Sequence, residues 1–211
     1  MAHVVSVLVG RPEKLRVGKR TVTTGIHKKP AGGPVHVGEE GLRDDAVLDT
    51  RHHGGLDQAV YLTLAEDLAW FGHELGEVVA PGRFGENLVI DGLGDLELRI
   101  GDRLRLPHVE LQLTAPRIPC NVLAAAMGDK GFVTRYRDAR RPGAYARVLR
   151  AGPVQAGDPV EHVPSDGIGL LEVYDEWYAR PHDAERLRRA LASPLAQRTR
   201  DKLEGWLAKA R

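Results

Sequence analysis

Apolar and polar positions alternate in short runs from the N-terminus to about Val163. Val5, Val7 and Val9 share one strand face, Leu96, Leu98 and Ile100 a second, and Val109, Leu111 and Leu113 a third, with Glu110 and Gln112 between them. Asp91-Gly92, Gly94-Asp95, Gly101-Asp102, Gly152-Pro153 and Gly157-Asp158 punctuate the apolar runs as turns, and this density favours a compact barrel or sandwich over a parallel sheet. One helix interrupts the strands: Tyr61, Leu64, Leu68 and Phe71, with Ala65, follow helical spacing, and Gly72 or Gly76 can end it. After Val163 alternation stops. Pro164-Ser165-Asp166-Gly167 is a joint, followed by three helical stretches at about 168–179, 183–192 with Asp183 as N-cap, and 193–209, where Ser193 caps and Pro194 takes the first helical position.

Composition narrows the chemistry. A length of 211 residues suits one domain, or one domain with a small appendage. The single cysteine, Cys120, excludes an internal disulfide, a four-cysteine iron–sulfur cluster and an all-cysteine zinc site. A formal net charge of +1 gives no global reason to expect nucleic acid or an anionic membrane. The segment from Met1 to Gly10 lacks a basic front and a cleavage site and reads as a strand, no window approaches a membrane span, and the unpaired thiol suits a reducing compartment, so a soluble cytoplasmic protein is expected.

Four segments carry candidate chemistry. In Thr114-Ala115-Pro116-Arg117-Ile118-Pro119-Cys120-Asn121, two prolines stiffen a loop that presents a guanidinium near the only thiol. Such a loop suits a thiolate held beside an anion or a soft metal, although a lone cysteine is more often a small buried hydrophobe. Arg51-His52-His53-Gly54-Gly55-Leu56-Asp57-Gln58 reads either as an anion- or cofactor-binding loop or as a glycine turn whose Asp57 caps the helix that follows. In Gly82-Arg83-Phe84-Gly85-Glu86-Asn87-Leu88, a polar pair adjoins an apolar strand, where its plainest role is to satisfy backbone groups. Gly25-Ile26-His27-Lys28-Lys29-Pro30 places two lysines in a loop, either solvated or binding phosphate.

In this order, together with Ile100-Gly101-Asp102, Tyr145-Ala146-Arg147-Val148 and Ala156-Gly157-Asp158, these segments resemble the MOSC family, the module at the C-terminus of molybdenum cofactor sulfurases, and within it the YiiM-type members. The resemblance implies a mainly β fold, a MOSC-type β-barrel with a few flanking helices over residues 1–164, and a small three-helix domain over 165–211, α+β as a whole. It implies a pocket for the pyranopterin molybdenum cofactor, with Cys120 as thiolate ligand to the metal and Arg117 adding charge. Lys28, Arg51, His53, Gly54, Gly55, Asp57, Gln58, Glu86, Asn87 and Asn121 are the further cofactor-binding candidates. The activity implied is reduction of N-hydroxylated compounds such as purines or amidoximes. The chain has neither a cluster's cysteines nor a G-x-G-x-x-G fingerprint, so the electrons are expected from a separate flavin or iron–sulfur reductase.

Two departures bear on this. The length leaves no room for the sulfurases' pyridoxal-phosphate-dependent region, and the 31–37 stretch has no assigned role. Competing readings are a carrier that holds a persulfide or the cofactor at Cys120 without turnover, and a thiol hydrolase with Cys120 activated by His53 or another of the nine histidines. Nucleic-acid binding by the helical tail is disfavoured, since residues 166–211 hold nine basic against eight acidic side chains.

Overall fold

The structure, a computed structural model, describes residues 1–49, 53–94 and 96–209. In chain order its elements are β1 (His3–Gly10), β2 (Glu13–Val17), β3 (Arg20–Thr24), β4 (Lys28–Pro30), β5 (Val35–Gly38), β6 (Gly41–Leu42), a 3-10 turn (Leu56–Gln58), β7 (Val60–Leu64), α1 (Ala65–Leu75), β8 (Leu88–Asp91), β9 (Arg103–Arg105), β10 (Glu110–Pro116), α2 (Asn121–Ala126), α3 (Phe132–Ala139), β11 (Ala144–Arg150), β12 (Gly152–Val154), β13 (Glu161–Val163), α4 (Leu170–Tyr178), α5 (Ala184–Ala192) and α6 (Gln197–Leu207).

Eight strands form one sheet in the order β13-β9-β10-β11-β7-β8-β1-β4. All neighbours are antiparallel except β7 and β8, which are parallel and joined through α1, because parallel neighbours need a crossover. The expected closed barrel does not form. The two edge strands do not pair with each other, although the 157–160 segment ahead of β13 reaches β1 through Val4 N to Asp158 O (2.9 Å) and Val160 N to Ala2 O (2.9 Å). That contact stays an isolated bridge between His3 and Pro159, since proline has no N–H to extend a ladder. The fold is mixed α+β and sheet-rich. Val173, Leu187, Ala190 and Leu203 of the last three helices join the same buried cluster as Val4, Leu62, Leu104 and Leu113, so those helices share the sheet's core.

Several boundaries differ from the pattern reading. Val60–Leu64 is a fully buried strand, and the helix begins only at Ala65 and ends at Gly76 in the left-handed conformation (φ 66°). The 96–100 run forms no strand, only a bridge between Arg99 and Gly169. Gly152-Pro153 lies in β12 rather than a turn. Two helices, α2 and α3, occur where strands alone were expected. Asp183 caps α5 as expected, accepting from Glu185 N and Arg186 N. The last helix starts at Gln197, and Ser193 instead accepts from Ile168 N on its Oγ (3.0 Å).

Candidate functional site

A cavity of about 370 Å³ lies beside Cys120, lined by Gly25 and Lys28, by the 46–49 loop, by His53, Gly54 and Gln58, by Phe84, Gly85 and Asn87, and by Arg117, Tyr61 and Tyr145. β10 ends at Pro116 and α2 begins at Asn121, so the proline-bracketed loop sets Arg117 and Cys120 on one wall. Cys120 is partly buried and packs at the edge of an aromatic cluster of Phe71, Phe84, Phe132 and Tyr136. Arg117 is 4% exposed, with its guanidinium carbon 5.0 Å from the Tyr61 ring centre and 5.5 Å from that of Tyr136. Its Nη1 has no hydrogen-bond partner among the described residues. Burial pulls the guanidinium down, while Tyr61, Tyr136, Tyr145 and Cys120 push it up and leave it above the ordinary arginine value, hence charged. Burial pushes the Tyr145 phenol up to about 12.

The other candidates divide. His53, Gly54, Gln58, Asn87 and Lys28 line the cavity with Arg117 and Cys120. His53 Nδ1 pairs with Tyr145 Oη at 2.9 Å. Gly54 has φ +68°, and a Cβ there would lie 2.7 Å from Val47 Cγ1, so the loop packs this closely only with glycine. Lys28 is bound in a buried ion pair with Asp45, which also accepts from Asn87 Nδ2 (2.8 Å) and Gly10 N (2.6 Å). Burial lowers the Lys28 pKa against the opposing pull of Asp45. Its charge is thus already matched within the protein.

Gly55, Asp57, Glu86 and Asn121 do not line this cavity. Asp57 accepts from Gln197 N (2.9 Å) at the start of α6 and pairs with Arg147 (3.0 Å), tying the C-terminal helix to the glycine loop. It caps a helix, but one 140 residues away. Gly55 is exposed with φ +79°, and Asn121 is exposed at the start of α2. Glu86 is fully buried and accepts from Gly82 N (2.6 Å) and Phe84 N (3.0 Å), closing the turn before β8. Burial raises its pKa, against those bonds and the more distant charge of Arg117. Arg51 lies outside the described residues. Asp45 and the three tyrosines were not singled out from sequence. Tyr145 sat in a noted motif, whereas Asp45 carried no local signal.

Fold and motif order define the class: residues 49–161 match the MOSC domain family, and the chain belongs to it. Among its relatives, YflK of Bacillus subtilis (strain 168) is 35% identical over 184 residues, covering 87% of this chain and 83% of that protein. YiiM of Escherichia coli (strain K12) is 27% identical over 92% of this chain and 87% of its own. A protein of Gibberella moniliformis named as a reductase is 30% identical over 82% of this chain, but the match spans only 30% of that protein. The crystal structure of YiiM from Geobacillus stearothermophilus has the same fold, with a TM-score of 0.81 at 24% identity over 98% of this chain and all of that one. Among the described residues, no helix is long and apolar enough to cross a membrane.

Proposed function

We propose that this chain binds the molybdenum cofactor in the cavity beside Cys120 and reduces N-hydroxylated compounds. The observation that carries the reading is a buried guanidinium with an unsatisfied Nη1 on the same cavity wall as the only thiol. A buried cation without a close counter-ion is costly, and an anionic ligand in the cavity would offset that cost. No group of three or more His, Cys, Asp or Glu side chains among the described residues could hold a bare metal ion, so a thiolate at Cys120 fits a metal that brings its other ligands with it. The residues present therefore fit an anionic, sulfur-ligated cofactor.

The cofactor would supply the two-electron chemistry, and the protein binding, orientation and electrostatics. The net change is R–NHOH + 2 e⁻ + 2 H⁺ → R–NH₂ + H₂O, with the N–O bond broken and the electrons drawn from a separate flavin or iron–sulfur reductase. Arg117 holds negative charge at the cavity wall, and Cys120 contributes the soft donor. His53 and the Tyr145 hydroxyl, already hydrogen-bonded, are placed to pass protons, because Tyr145 keeps its proton at neutral pH. Gln58 and Gly54 line the same cavity. The fungal relative's name supports a reductase, and the family supports the cofactor class.

The test is reduction of an N-hydroxylated purine and of benzamidoxime by protein purified from a host that makes the cofactor, with an artificial electron donor. Wild type should turn both over, and Cys120→Ser should not. Turnover retained in Cys120→Ser would remove the thiol from the mechanism, and molybdenum bound without turnover in wild type would favour cofactor carriage.

A further inference from the structure

The β2–β3 hairpin concentrates unpaired positive charge. Residues 11–24 hold five basic side chains, Arg11, Lys14, Arg16, Lys19 and Arg20, and one acid, Glu13, whereas the rest of the chain holds 25 basic against 28 acidic. All six are exposed. Glu13 is taken by His27, and none of the five cations pairs with a carboxylate among the described residues. The basic run at 130–141 differs, because its four arginines pair with Asp129, Asp138, Asp175 and Asp67. Strand register sorts the hairpin's faces: Lys14 opposite Thr23 and Arg16 opposite Thr21 stand outward, while Leu15 opposite Val22 turns inward. Lys19 sits in the turn itself, where Gly18 has φ 60°, and Arg20 opens β3. We infer that this face docks the acidic surface of a redox protein, the donor of the two electrons; the partner's role rests on the reading above, the surface does not.

Position supports the assignment. Leu15 packs into the same apolar cluster as Cys120 and Val122, and Val22, Thr23 and Thr24 of β3 border the cavity beside Cys120. A protein seated on the hairpin therefore lies next to the cavity assigned to the redox group. At the hairpin's base, Arg11 and Glu13 border a further cavity of about 640 Å³, which Lys29, Arg43, Asp44 and residues of the 31–37 stretch also line, so the basic surface continues there. Other partners fit less well. Residues 11–24 contain no aromatic side chain on which bases could stack, and a nucleic acid reaching past the hairpin would meet a net negative chain. The outward face carries no apolar side chain to enter a membrane. Basic side chains also blunt exposed strand edges, but Arg11 and Lys19 lie outside the strands and serve no such purpose. A compact acidic patch needs only the local field, which steers association and sets orientation.

The test uses the full chain, with a purified acidic flavodoxin and an acidic two-iron ferredoxin as probes and short duplex DNA as the rival polyanion. Affinity and association rate are measured at about 20 mM and about 300 mM salt for wild type, Lys14→Glu/Arg16→Glu and Lys19→Glu/Arg20→Glu. Benzamidoxime reduction is followed in parallel with each reduced probe and with an artificial electron donor. At low salt wild type should bind at least one probe, each double variant should associate about tenfold or more slowly, and high salt should remove the difference. Turnover driven by the probe should fall with association, while molybdenum content, Tm and turnover with the artificial donor stay at wild-type levels. Wild-type association in both variants, no binding of either probe by wild type, or tighter binding of DNA than of both probes would each overturn the surface. Hairpin-dependent, salt-sensitive binding by a protein that reduces nothing with the artificial donor would support the surface and overturn the reductase reading instead.

Discussion

Replacing Arg117 by methionine should make the ligand-free protein more stable, because the site buries a cation with one unsatisfied donor and no carboxylate partner among the described residues. The guanidinium is 4% exposed, and its Nη1 is unsatisfied among the described residues. The pull of the tyrosines on it exists only where they ionise, about pH 12 for Tyr145, so at neutral pH it faces neutral phenols. Desolvating such a cation costs several kcal/mol, and an unsatisfied buried donor about 1–3 kcal/mol more. The two ring contacts return about 0.5–2 kcal/mol each. Methionine fills much of the volume with no charge to bury, so a net gain of about 1–3 kcal/mol follows. For a chain of this size that is about 2–4 °C in Tm per kcal/mol. Urea unfolding at pH 7 with an unchanged m-value measures it. The order should invert with ligand: cofactor at about 100 times its Kd would add about 2.7 kcal/mol to wild type and little to the variant. If Arg117→Met loses more than about 1 kcal/mol without ligand, the guanidinium is a structural clamp and the anion argument fails.

Three further outcomes follow from named contacts. In Glu86→Gln one amide oxygen cannot serve both Gly82 N and Phe84 N, so it should lose about 1–3 kcal/mol at pH 5. Burial raises the Glu86 pKa, so this group's contribution is complete below the ordinary carboxylate range and lost as pH rises through the raised value. The gap between wild type and variant in denaturation profiles should therefore narrow towards pH 8. Asp57→Ala removes the cap on α6 and the pair with Arg147, costing about 1–2 kcal/mol and speeding hydrogen exchange at 197–200 before it touches β-sheet amides. Gly54→Ala meets Val47 Cγ1 at 2.7 Å and a φ of +68°, costing about 1–3 kcal/mol, and the purified protein should retain less molybdenum than wild type.

What was legible in the sequence depended on how local its cause was. β10 was visible because Leu111 and Leu113 alternate with Glu110 and Gln112, and the Asp183 cap because its partners lie two and three residues away. β1 is a strand as expected, but a bulge between Val4 and Ser6 leaves Val5 exposed while Val4, Val7 and Leu8 are buried, so Val5, Val7 and Val9 do not share one buried face. Val60–Leu64 was misread because a strand buried on both faces loses its period of two, and Tyr61 and Leu64 happen to fit a helical spacing continued by Leu68 and Phe71. α3 was missed although Phe132 and Tyr136 stand one turn apart and both are buried. The 96–100 run alternates but finds no partner strand beyond a single bridge, and Pro159 denies the sheet its closure. At the cavity, Cys120 and Arg117 drew attention in the sequence because two prolines bracket their loop and because that loop falls in order with the other motifs. The pairing of Lys28 with Asp45 and the reach of Asp57 to α6 were not legible, because each joins segments far apart in the chain.

The most direct test of the central claim is X-ray absorption at the molybdenum edge, on wild type and Cys120→Ser purified alike from a host that makes the cofactor. The account predicts near-stoichiometric molybdenum in wild type with a sulfur ligand donated by the protein, and loss of that sulfur, with most of the metal, in Cys120→Ser. The same metal content and the same sulfur count in both proteins would contradict it.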